Sequence, residues 1–371
     1  MTLAEPFRGR VEVLRAGLEE RDLDGALVSW EPHVRYFSGV LSEWTPAFLV
    51  VDPVNVIAIV PESAGIVAEP GVELQTYVAG AIEEIVWPRR NALAEIARVN
   101  RDRGIAPERL GVEREHVSLV DVDVLPGLVE AIDIGPLITR QRMRKDADEV
   151  ARIRVNLSVL ETGFDAARAT IQPGVTELAV WAAMHAAMQA KAGAAFPLQG
   201  NFASGPRTLE NEPQATNRRI EAGDVVFIDL YPMIDGYAAD LTRTLVAGRP
   251  TTAQRARHAI LKEALAAGVA TLKPGARACD VDLAVRSSIA AALGGYTLPH
   301  HAGHALGLQG QERPMLIPGD DTVLEAGMVI AIEPGAYLPD TGGMRIEGNY
   351  LVLETESEPL SDYPMELFAC G

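Results

Sequence analysis

Four acidic residues occupy matching positions in two stretches of the sequence. The nonamers that end on Asp229 and Glu333 share the pattern E-A-G-x-V-(V/I)-x-I-(D/E), an apolar run that ends on an acid. A second acid follows each nonamer after a glycine-containing segment, Asp240 in the first copy and Glu347 in the second. A strand, a turn and a returning strand would bring the two acids of each copy side by side. The spacing therefore predicts two pairs of neighbouring carboxylates.

Four carboxylates in one apolar pocket need a compensating positive charge, because burying even one unpaired charge costs several kcal/mol or more. Two bound cations would supply it. His304 lies between the acidic segments, in Pro-His-His-Ala-Gly-His-Ala-Leu-Gly, and its neutral imidazole is the expected fifth ligand. Oxygen and nitrogen donors without thiolate suit Mn²⁺, Co²⁺, Fe²⁺ or Zn²⁺, of which manganese is the first expectation. Such a centre activates water for hydrolysis of an amide or ester, and one carboxylate moves the proton.

Each of these residues also has an ordinary structural interpretation. Acids at strand ends are usually solvated, and a single histidine is more often a hydrogen-bonded core residue. The duplicated placement of the acids favours metal ligation instead. His300 is expected to contact the substrate or a developing oxyanion, with a supporting role behind the ligands as the alternative. His301 is expected to be structural.

The elements that must position these residues are duplicated too. Thr-Ile-Gln-Pro-Gly at 170–174 and Thr-Leu-Lys-Pro-Gly at 271–275 each end one helix and precede another. One of the acidic nonamers follows each pair of helices. We therefore expect two copies of a helix–Pro-Gly–helix–strand unit, packed around a pseudo-two-fold axis that brings both carboxylate pairs together.

The first 135 residues have a different pattern, which is typical of a small α/β unit. Apolar residues recur at helical spacing from Val11 to Leu18. Short apolar runs at 26–28, 48–51 and 56–60 predict buried strands.

A change of pattern near Gly135 marks a domain boundary, which we place within residues 134–142. The sequence thus predicts an N-terminal domain of residues 1–137 and a C-terminal domain of residues 138–371. The expected fold class is α/β (α+β) with two domains.

The composition is that of a soluble globular protein with a negative surface. The chain has 371 residues, 48% of them hydrophobic and 23% charged, and a formal charge of −18. That charge repels phosphate, so neither nucleic acid nor an anionic membrane is an expected partner, and no apolar stretch predicts a membrane helix. Two cysteines, Cys279 and Cys370, are too few for a disulfide framework and indicate a reducing, cytoplasmic compartment.

A series of motifs runs through nearly the whole chain: Leu-Ile-Thr-Arg-Gln-Arg-Met-Arg-Lys, the Pro-Gly turns, Ile-Asp-Leu, Gly-Tyr-Ala-Ala-Asp-Leu-Thr-Arg-Thr, Gly-His-Ala-Leu-Gly, Ile-Glu-Pro-Gly and Gly-Met-Arg-Ile-Glu. In type and order they resemble peptidase family M24, the creatinase/methionine aminopeptidase or "pita-bread" metallopeptidases, and most closely the Xaa-Pro dipeptidases (prolidases). The resemblance implies a creatinase-like N-terminal domain, a duplicated pita-bread catalytic domain and two divalent metal ions per subunit.

The same resemblance implies roles for the five candidate ligands. Asp229 would hold one ion, while His304 and Glu333 would hold the other. Asp240 and Glu347 would bridge them. Glu333 would also be the general base that takes the proton from water.

Four further positions bear on the substrate. Arg345 matches a family arginine that organises the site, with a simple counter-ion to the carboxylates as the alternative. Prolidases usually carry substrate-contacting histidines where this chain has Glu212 and Gln311, and Tyr231 stands where many relatives have glycine. Arg345, Tyr231 and Gln311 are the candidate substrate contacts. Alternatively, Tyr231 packs in the core, and Glu212 and Gln311 are neutral replacements.

The predicted reaction is metal-dependent hydrolysis of the peptide bond preceding proline, most directly in Xaa-Pro dipeptides. The resemblance also implies a homodimer in which the N-terminal domain of one subunit approaches the other's active site, with Trp44 as a candidate for that wall. Three alternatives stay open. They are an aminopeptidase P-like enzyme for longer peptides, a creatinase-like C–N hydrolase with a non-peptide substrate, and a metal-binding homologue without turnover.

Overall fold

The computed structural model describes residues 3–42, 45–62, 65–83 and 85–371. The chain divides into two compact units, Met1–Arg142 and Met143–Gly371. Trp44, the candidate wall residue, lies outside the described residues. In the described ranges, no helix combines the length and the apolar character that crossing a membrane requires.

The first unit is built on one mixed sheet. Its elements are α1 (Phe7–Glu19), β1 (Gly25–Val28), α2 (Glu31–Ser38), β2 (Phe48–Val51), β3 (Val56–Pro61), β4 (Val72–Tyr77), α3 (Pro88–Arg103), β5 (Leu110–Val112), α4 (Leu119–Val124) and β6 (Ile132–Asp133). The strand order is β4-β3-β2-β1-β5-β6. The three apolar runs predicted as strands form β1, β2 and β3, and every residue of these strands is buried.

Helix α5 (Gly135–Met143) leads to two helix pairs in the second unit, α6 (Ala147–Thr170) with α7 (Glu177–Ala192) and α8 (Thr252–Thr271) with α9 (Ala278–Ala292). Capping boxes start α6, at Asp146 and Glu149, and α8, at Thr251 and Gln254. An N-cap contributes about 1 kcal/mol. The Pro-Gly turns separate the two helices of each pair, since proline has no N–H with which to continue a helix.

Strands follow each helix pair. They are β7 (Gly200–Ser204), β8 (Val225–Leu230), β9 (Met233–Ile234), β10 (Tyr237–Ala238) and β11 (Leu241–Ala247) in the first copy, and β12 (Gly303–Ala305), β13 (Glu312–Leu316), β14 (Val329–Ile332), β15 (Gly335–Leu338), β16 (Gly342–Arg345) and β17 (Gly348–Val352) in the second, with β18 (Ser357–Pro359) and β19 (Phe368–Cys370) last. They form sheets of order β19-β11-β8-β7 and β13-β12-β14-β17-β18, besides the hairpins β9–β10 and β15–β16.

The two copies repeat one arrangement of strands. In the first, β8 pairs antiparallel with β11 and the hairpin β9–β10 joins them; in the second, β14 pairs with β17 and β15–β16 joins them. The apolar core holds the second copy in place, because side chains such as Leu261 of α8 and Ile289 of α9 are buried in one cluster with Ile330 and Ile332 of β14. Burying such a side chain contributes about 1.5–3 kcal/mol. The predicted α/β class is confirmed.

Candidate metal centre and active site

Strand register brings the two acids of the first copy together. Asp229 lies in β8, all of whose residues are buried, and its cross-strand partner in β11 is Thr242. Asp240 directly precedes β11. Both aspartates are buried, with 6% and 5% of their surface exposed. Two carboxylates therefore lie beside each other in the protein interior.

The second copy places its ligands in the same way. Glu333 directly follows β14 and Glu347 directly precedes β17, the strand paired with it. On the other side of β14, β12 places His304 opposite Ala331. Gly303 is required beside His304, because a Cβ atom there would collide with the carbonyl oxygen of Ala331.

The two copies meet at a single group of donor atoms. The Nε2 atom of His304 lies 3.4 Å from Oε1 of Glu333 and 3.6 Å from Oδ2 of Asp240. One ligand atom each from Asp240, His304 and Glu347 lies within 4.8 Å of the others. The structure thus brings carboxylates from both copies and one imidazole into a single buried site.

The electrostatics of this site call for a cation. Burial is the largest cause of a raised pKa at Asp229, Asp240 and Glu347, and neighbouring carboxylates raise it further. Within the described ranges, Oδ1 of Asp240 and Oε1 of Glu347 are buried without a hydrogen-bond partner. Buried carboxylate oxygens are costly unless they are paired or bind a metal. Hard oxygen donors with one imidazole fit a divalent ion, so the residues present fit the metal centre that their pattern predicts.

His304 presents the nitrogen that a metal site needs. Its Nδ1–H donates to the carbonyl oxygen of Ala305 at 3.0 Å, so the lone pair of Nε2 faces Glu333 and Asp240. Burial lowers the pKa of His304 and keeps the imidazole neutral. A neutral ring held by a backbone hydrogen bond is the usual form of a metal-binding histidine.

Arg345 supplies the positive charge beside the carboxylates. Its Nη1 donates to Oδ2 of Asp229 at 2.7 Å and lies 3.1 Å from Oε2 of Glu333. Burial alone would raise the pKa of Glu333, but Arg345 and the nearby histidines outweigh it and lower that pKa. Glu333 is therefore ionised, which is the form that a general base requires.

His300 lies at the edge of this group. Its Nδ1–H donates to the carbonyl oxygen of His301 at 2.7 Å, and its Nε2 accepts the O–H of Tyr337 at 2.9 Å. Burial, followed by the charge of Arg345, lowers the pKa of His300 to about 3, so the ring is neutral. Both ring nitrogens are engaged within the protein. A contact between Nε2 of His300 and an oxyanion requires both release of the bond to Tyr337 and a proton on Nε2, because an oxyanion only accepts hydrogen bonds.

His301 lies closer to the site than a purely structural residue would. Its Nδ1 is 3.0 Å from Oε1 of Glu333. Together with His300 and Glu333, it forms a second group of ligand atoms close enough to hold a metal ion. Its position next to His300 and three residues before the predicted ligand His304 was the available signal.

Tyr337 is a further site residue that the sequence pattern did not identify. Its Oη accepts a hydrogen bond from Nε of Arg345 at 2.8 Å and so links Arg345 to His300. The neighbouring glycines make room for it, because a Cβ at Gly335 or Gly343 would collide with the tyrosine ring or hydroxyl. In the sequence, the glycines at positions 335 and 343 of the β15–β16 hairpin were the available signal, because residues without a side chain leave space for a large neighbouring one.

A cavity of about 760 Å³ adjoins the centre. Tyr231, Gln311 and Arg345, the predicted substrate contacts, all line it, as does Glu212. Of the five predicted ligands, Glu347 alone is absent from the lining; it lies behind the others, where its Oε2 accepts a hydrogen bond from Thr242 at 2.9 Å.

Buried Glu177 holds one wall of the cavity, residues 209–214. Its Oε1 accepts the backbone N–H and the hydroxyl of Ser204 at 2.8 and 2.7 Å. Its Oε2 accepts the same two groups of Thr216 at 2.9 and 2.7 Å, and Arg207 pairs with it as well. Because Ser204 and Thr216 flank the wall segment, Glu177 ties its two ends together.

Comparison with known proteins shows relatives that cover nearly the whole chain. Residues 151–354 match metallopeptidase family M24, and residues 10–144 match the creatinase/prolidase N-terminal domain. The Xaa-Pro dipeptidase of Pyrococcus furiosus is 30% identical over 363 residues, which cover 97% of this chain and 100% of that protein.

Solved structures of similar proteins share the fold at full length. The Xaa-Pro dipeptidase from Bacillus anthracis aligns with a TM-score of 0.83 at 26% identity, covering 98% of this chain and 99% of that one. The prolidase from Pyrococcus horikoshii OT3 aligns with a TM-score of 0.83 at 27% identity, covering 97% and 99%.

Proposed function

Because this chain belongs to metallopeptidase family M24, we propose that it is a hydrolase for the peptide bond preceding proline, acting most directly on Xaa-Pro dipeptides. The observation that carries the proposal is the meeting of acids from both copies with His304 in one buried site. Full-length relatives named Xaa-Pro dipeptidase support the choice of substrate.

In this proposal, two divalent ions would be held by five residues: Asp229, Asp240, His304, Glu333 and Glu347. Divalent ions bound there would supply an activated water and polarise the scissile carbonyl. Glu333 accepts the proton of the attacking water and passes it to the leaving nitrogen, a role for which Arg345 keeps it ionised.

The remaining residues orient the substrate. Arg345 fixes Asp229 and Glu333 by its two contacts. His300 donates to the carbonyl oxygen of the substrate once it releases Tyr337 and carries its proton on Nε2. Tyr231 and Gln311 contact the peptide from the cavity walls.

The test is release of free proline by enzyme stripped of metal and reloaded with Mn²⁺, Co²⁺, Fe²⁺ or Zn²⁺. The substrates are a panel of Xaa-Pro dipeptides and one Xaa-Pro tripeptide, with ions bound per subunit measured on each preparation. Metal-dependent cleavage confined to dipeptides is the expected result. Cleavage of the tripeptide would favour an aminopeptidase instead. Two bound ions without cleavage of any peptide would refute the proposal and favour a non-peptide substrate or a binding role.

We also propose manganese as the working metal, a homodimer as the working assembly and the cytoplasm as the compartment. The free thiols of Cys279 and Cys370 suit a reducing environment. The mass in solution, measured by light scattering, tests the dimer, and the ion retained on purification from the native source tests the metal.

A further inference from the structure

The wall segment 209–214 carries a charge that the chain does not compensate. Glu210 and Glu212 are both exposed and line the cavity. Oε2 of Glu210 accepts a hydrogen bond from Arg207 at 3.0 Å, so its charge is paired. No described residue forms a hydrogen bond or ion pair with Glu212. Glu212 nevertheless faces the cavity, because it is one of the residues that line it.

The position of Glu212 is fixed by the segment that carries it. Phe202 donates its backbone N–H to the carbonyl oxygen of Pro213 at 2.8 Å, and Nε2 of Gln214 donates to the carbonyl oxygen of Gly200 at 3.0 Å. Glu212 itself has a φ of 47°, a left-handed conformation that is uncommon for a residue with a side chain. The two residues that follow Glu212 thus anchor the backbone of this segment, and Glu212 lines the cavity from it.

The other charges of the cavity leave this carboxylate available. Arg345 is the one arginine among the described lining residues, and it is committed to Asp229 and Glu333. Both ring nitrogens of His300 are bonded within the protein, to the carbonyl oxygen of His301 and to the hydroxyl of Tyr337. A peptide that enters the cavity therefore meets one exposed, unpaired negative charge.

We propose that Glu212 makes this enzyme select peptides that carry a positively charged side chain next to the scissile bond, in addition to the α-ammonium that every Xaa-Pro dipeptide has. The ligand chemistry is a guanidinium or ammonium group, on the side chain of the residue before the bond or on the proline ring after it. A carboxylate paired with such a group discriminates a cation from a neutral group of the same size. This inference rests on the proposed peptidase function and names the substrate class within it.

The experiment compares charged peptides with neutral peptides of nearly the same shape. Arg-Pro against citrulline-Pro tests the residue before the bond, and Ala-(4-aminoproline) against Ala-(4-hydroxyproline) tests the ring after it. In the metal-loaded enzyme we expect kcat/KM to be about fivefold higher for the charged member of at least one pair. This factor corresponds to the free energy of an ion pair that stays partly exposed to water. Glu212→Gln should bring that ratio close to one.

Glu210→Gln is the matched control, because it removes the same formal charge two residues away where Arg207 already pairs with it. It should keep the preference. An equal ratio in the unmodified enzyme and in Glu212→Gln would overturn the inference. So would a Glu210→Gln variant that loses the preference equally, since the effect would then belong to the charge of the whole wall.

Binding separates this inference from the proposed function. Calorimetric titration of the same peptides into Glu333→Gln, with and without Glu212→Gln, measures charge selection without turnover. Equal binding of charged and neutral peptides would refute the inference while leaving peptide hydrolysis intact. Failure of the metal-loaded enzyme to cleave any peptide would refute the proposed function, and the titration would still decide whether Glu212 selects cations.

Discussion

The inner and outer parts of the cavity are built differently. The candidate ligands Asp229, Asp240, His304, Glu333 and Glu347 lie within strands or at their ends and are all buried. The outer walls, residues 209–214 and 309–311, lie mostly in irregular segments, and their polar side chains are exposed. Pairing between strands fixes the inner groups, whereas the outer walls depend on a few local contacts.

That difference separates chemistry from specificity. A one-residue slip in strand pairing would turn a ligand to the other face of its sheet, so the ligands constrain the sequence of whole strands. Wall side chains can change without moving a strand. The three departures from the family pattern, Glu212, Gln311 and Tyr231, all line the cavity, and none of them is a candidate ligand. We therefore expect inner substitutions to change kcat or metal binding, and wall substitutions to change KM.

The largest effect is expected for a substitution among the buried candidate ligands of the inner cavity. Glu333→Gln preserves the shape of the side chain but removes the base, so kcat should fall by about 10³-fold. Steady-state kinetics on Xaa-Pro dipeptides, with circular dichroism to confirm folding, provides the measurement. Glu354→Gln, an exposed change of the same type, should keep full activity. Turnover retained in Glu333→Gln would contradict the assigned role.

The fold followed from local sequence signals to a large extent. The all-buried strands β1, β2 and β3 and the duplicated acidic strands β8 and β14 are short apolar runs bounded by turns, a pattern that depends on nearby residues alone. The resemblance to family M24 is likewise confirmed by full-length relatives. Chain pairing over long distances, such as the parallel contact of β19 with β11, has no such signal.

The site was predictable where residue type and duplication agreed, and less so where contacts decide the role. Nothing in the sequence spacing shows that Tyr337 joins Arg345 to His300, because that link depends on side-chain directions in a hairpin. The same is true of Glu177, whose partners lie up to 39 residues away along the chain. The roles of the ligands themselves stay predictions that the variants described here test.

A smaller inner effect is expected at Thr242, whose hydroxyl donates to Oε2 of Glu347. Thr242→Val keeps the size of this fully buried side chain and removes the hydrogen bond. Loss of such a supporting contact should weaken metal binding by about 10- to 100-fold with KM little changed. Metal titration of the stripped protein measures it. Unaltered metal affinity together with a raised KM would show that Thr242 supports substrate binding. That result would contradict the division between inner residues that bind metal and outer walls that set KM.

Behind the outer wall, buried Glu177 supports residues 209–214, and Glu177→Gln should act mainly through KM. The amide presents N–H groups to donors of Ser204 or Thr216, and a buried unsatisfied donor costs about 1–3 kcal/mol. The wall segment would loosen, and KM should rise by about tenfold, within the range of that energy. Metal stoichiometry, measured on the same preparation, should remain at the unmodified value. A loss of metal in parallel with KM would show that the wall and the centre are mechanically coupled.

The smallest effect is expected at Gln311, an exposed residue of the opposite wall. Gln311→Ala removes at most one neutral hydrogen bond to the peptide, so kcat/KM should fall by about threefold, through KM. Gln311→His restores the residue type usual in prolidases and separates two interpretations. A gain of activity on Xaa-Pro dipeptides would identify Gln311 as a tuning position within the same reaction. A loss of activity larger than that of Gln311→Ala would instead show that this wall accommodates glutamine and not histidine. Substrate specificity would then differ from that of the prolidases, although the candidate metal ligands are the same.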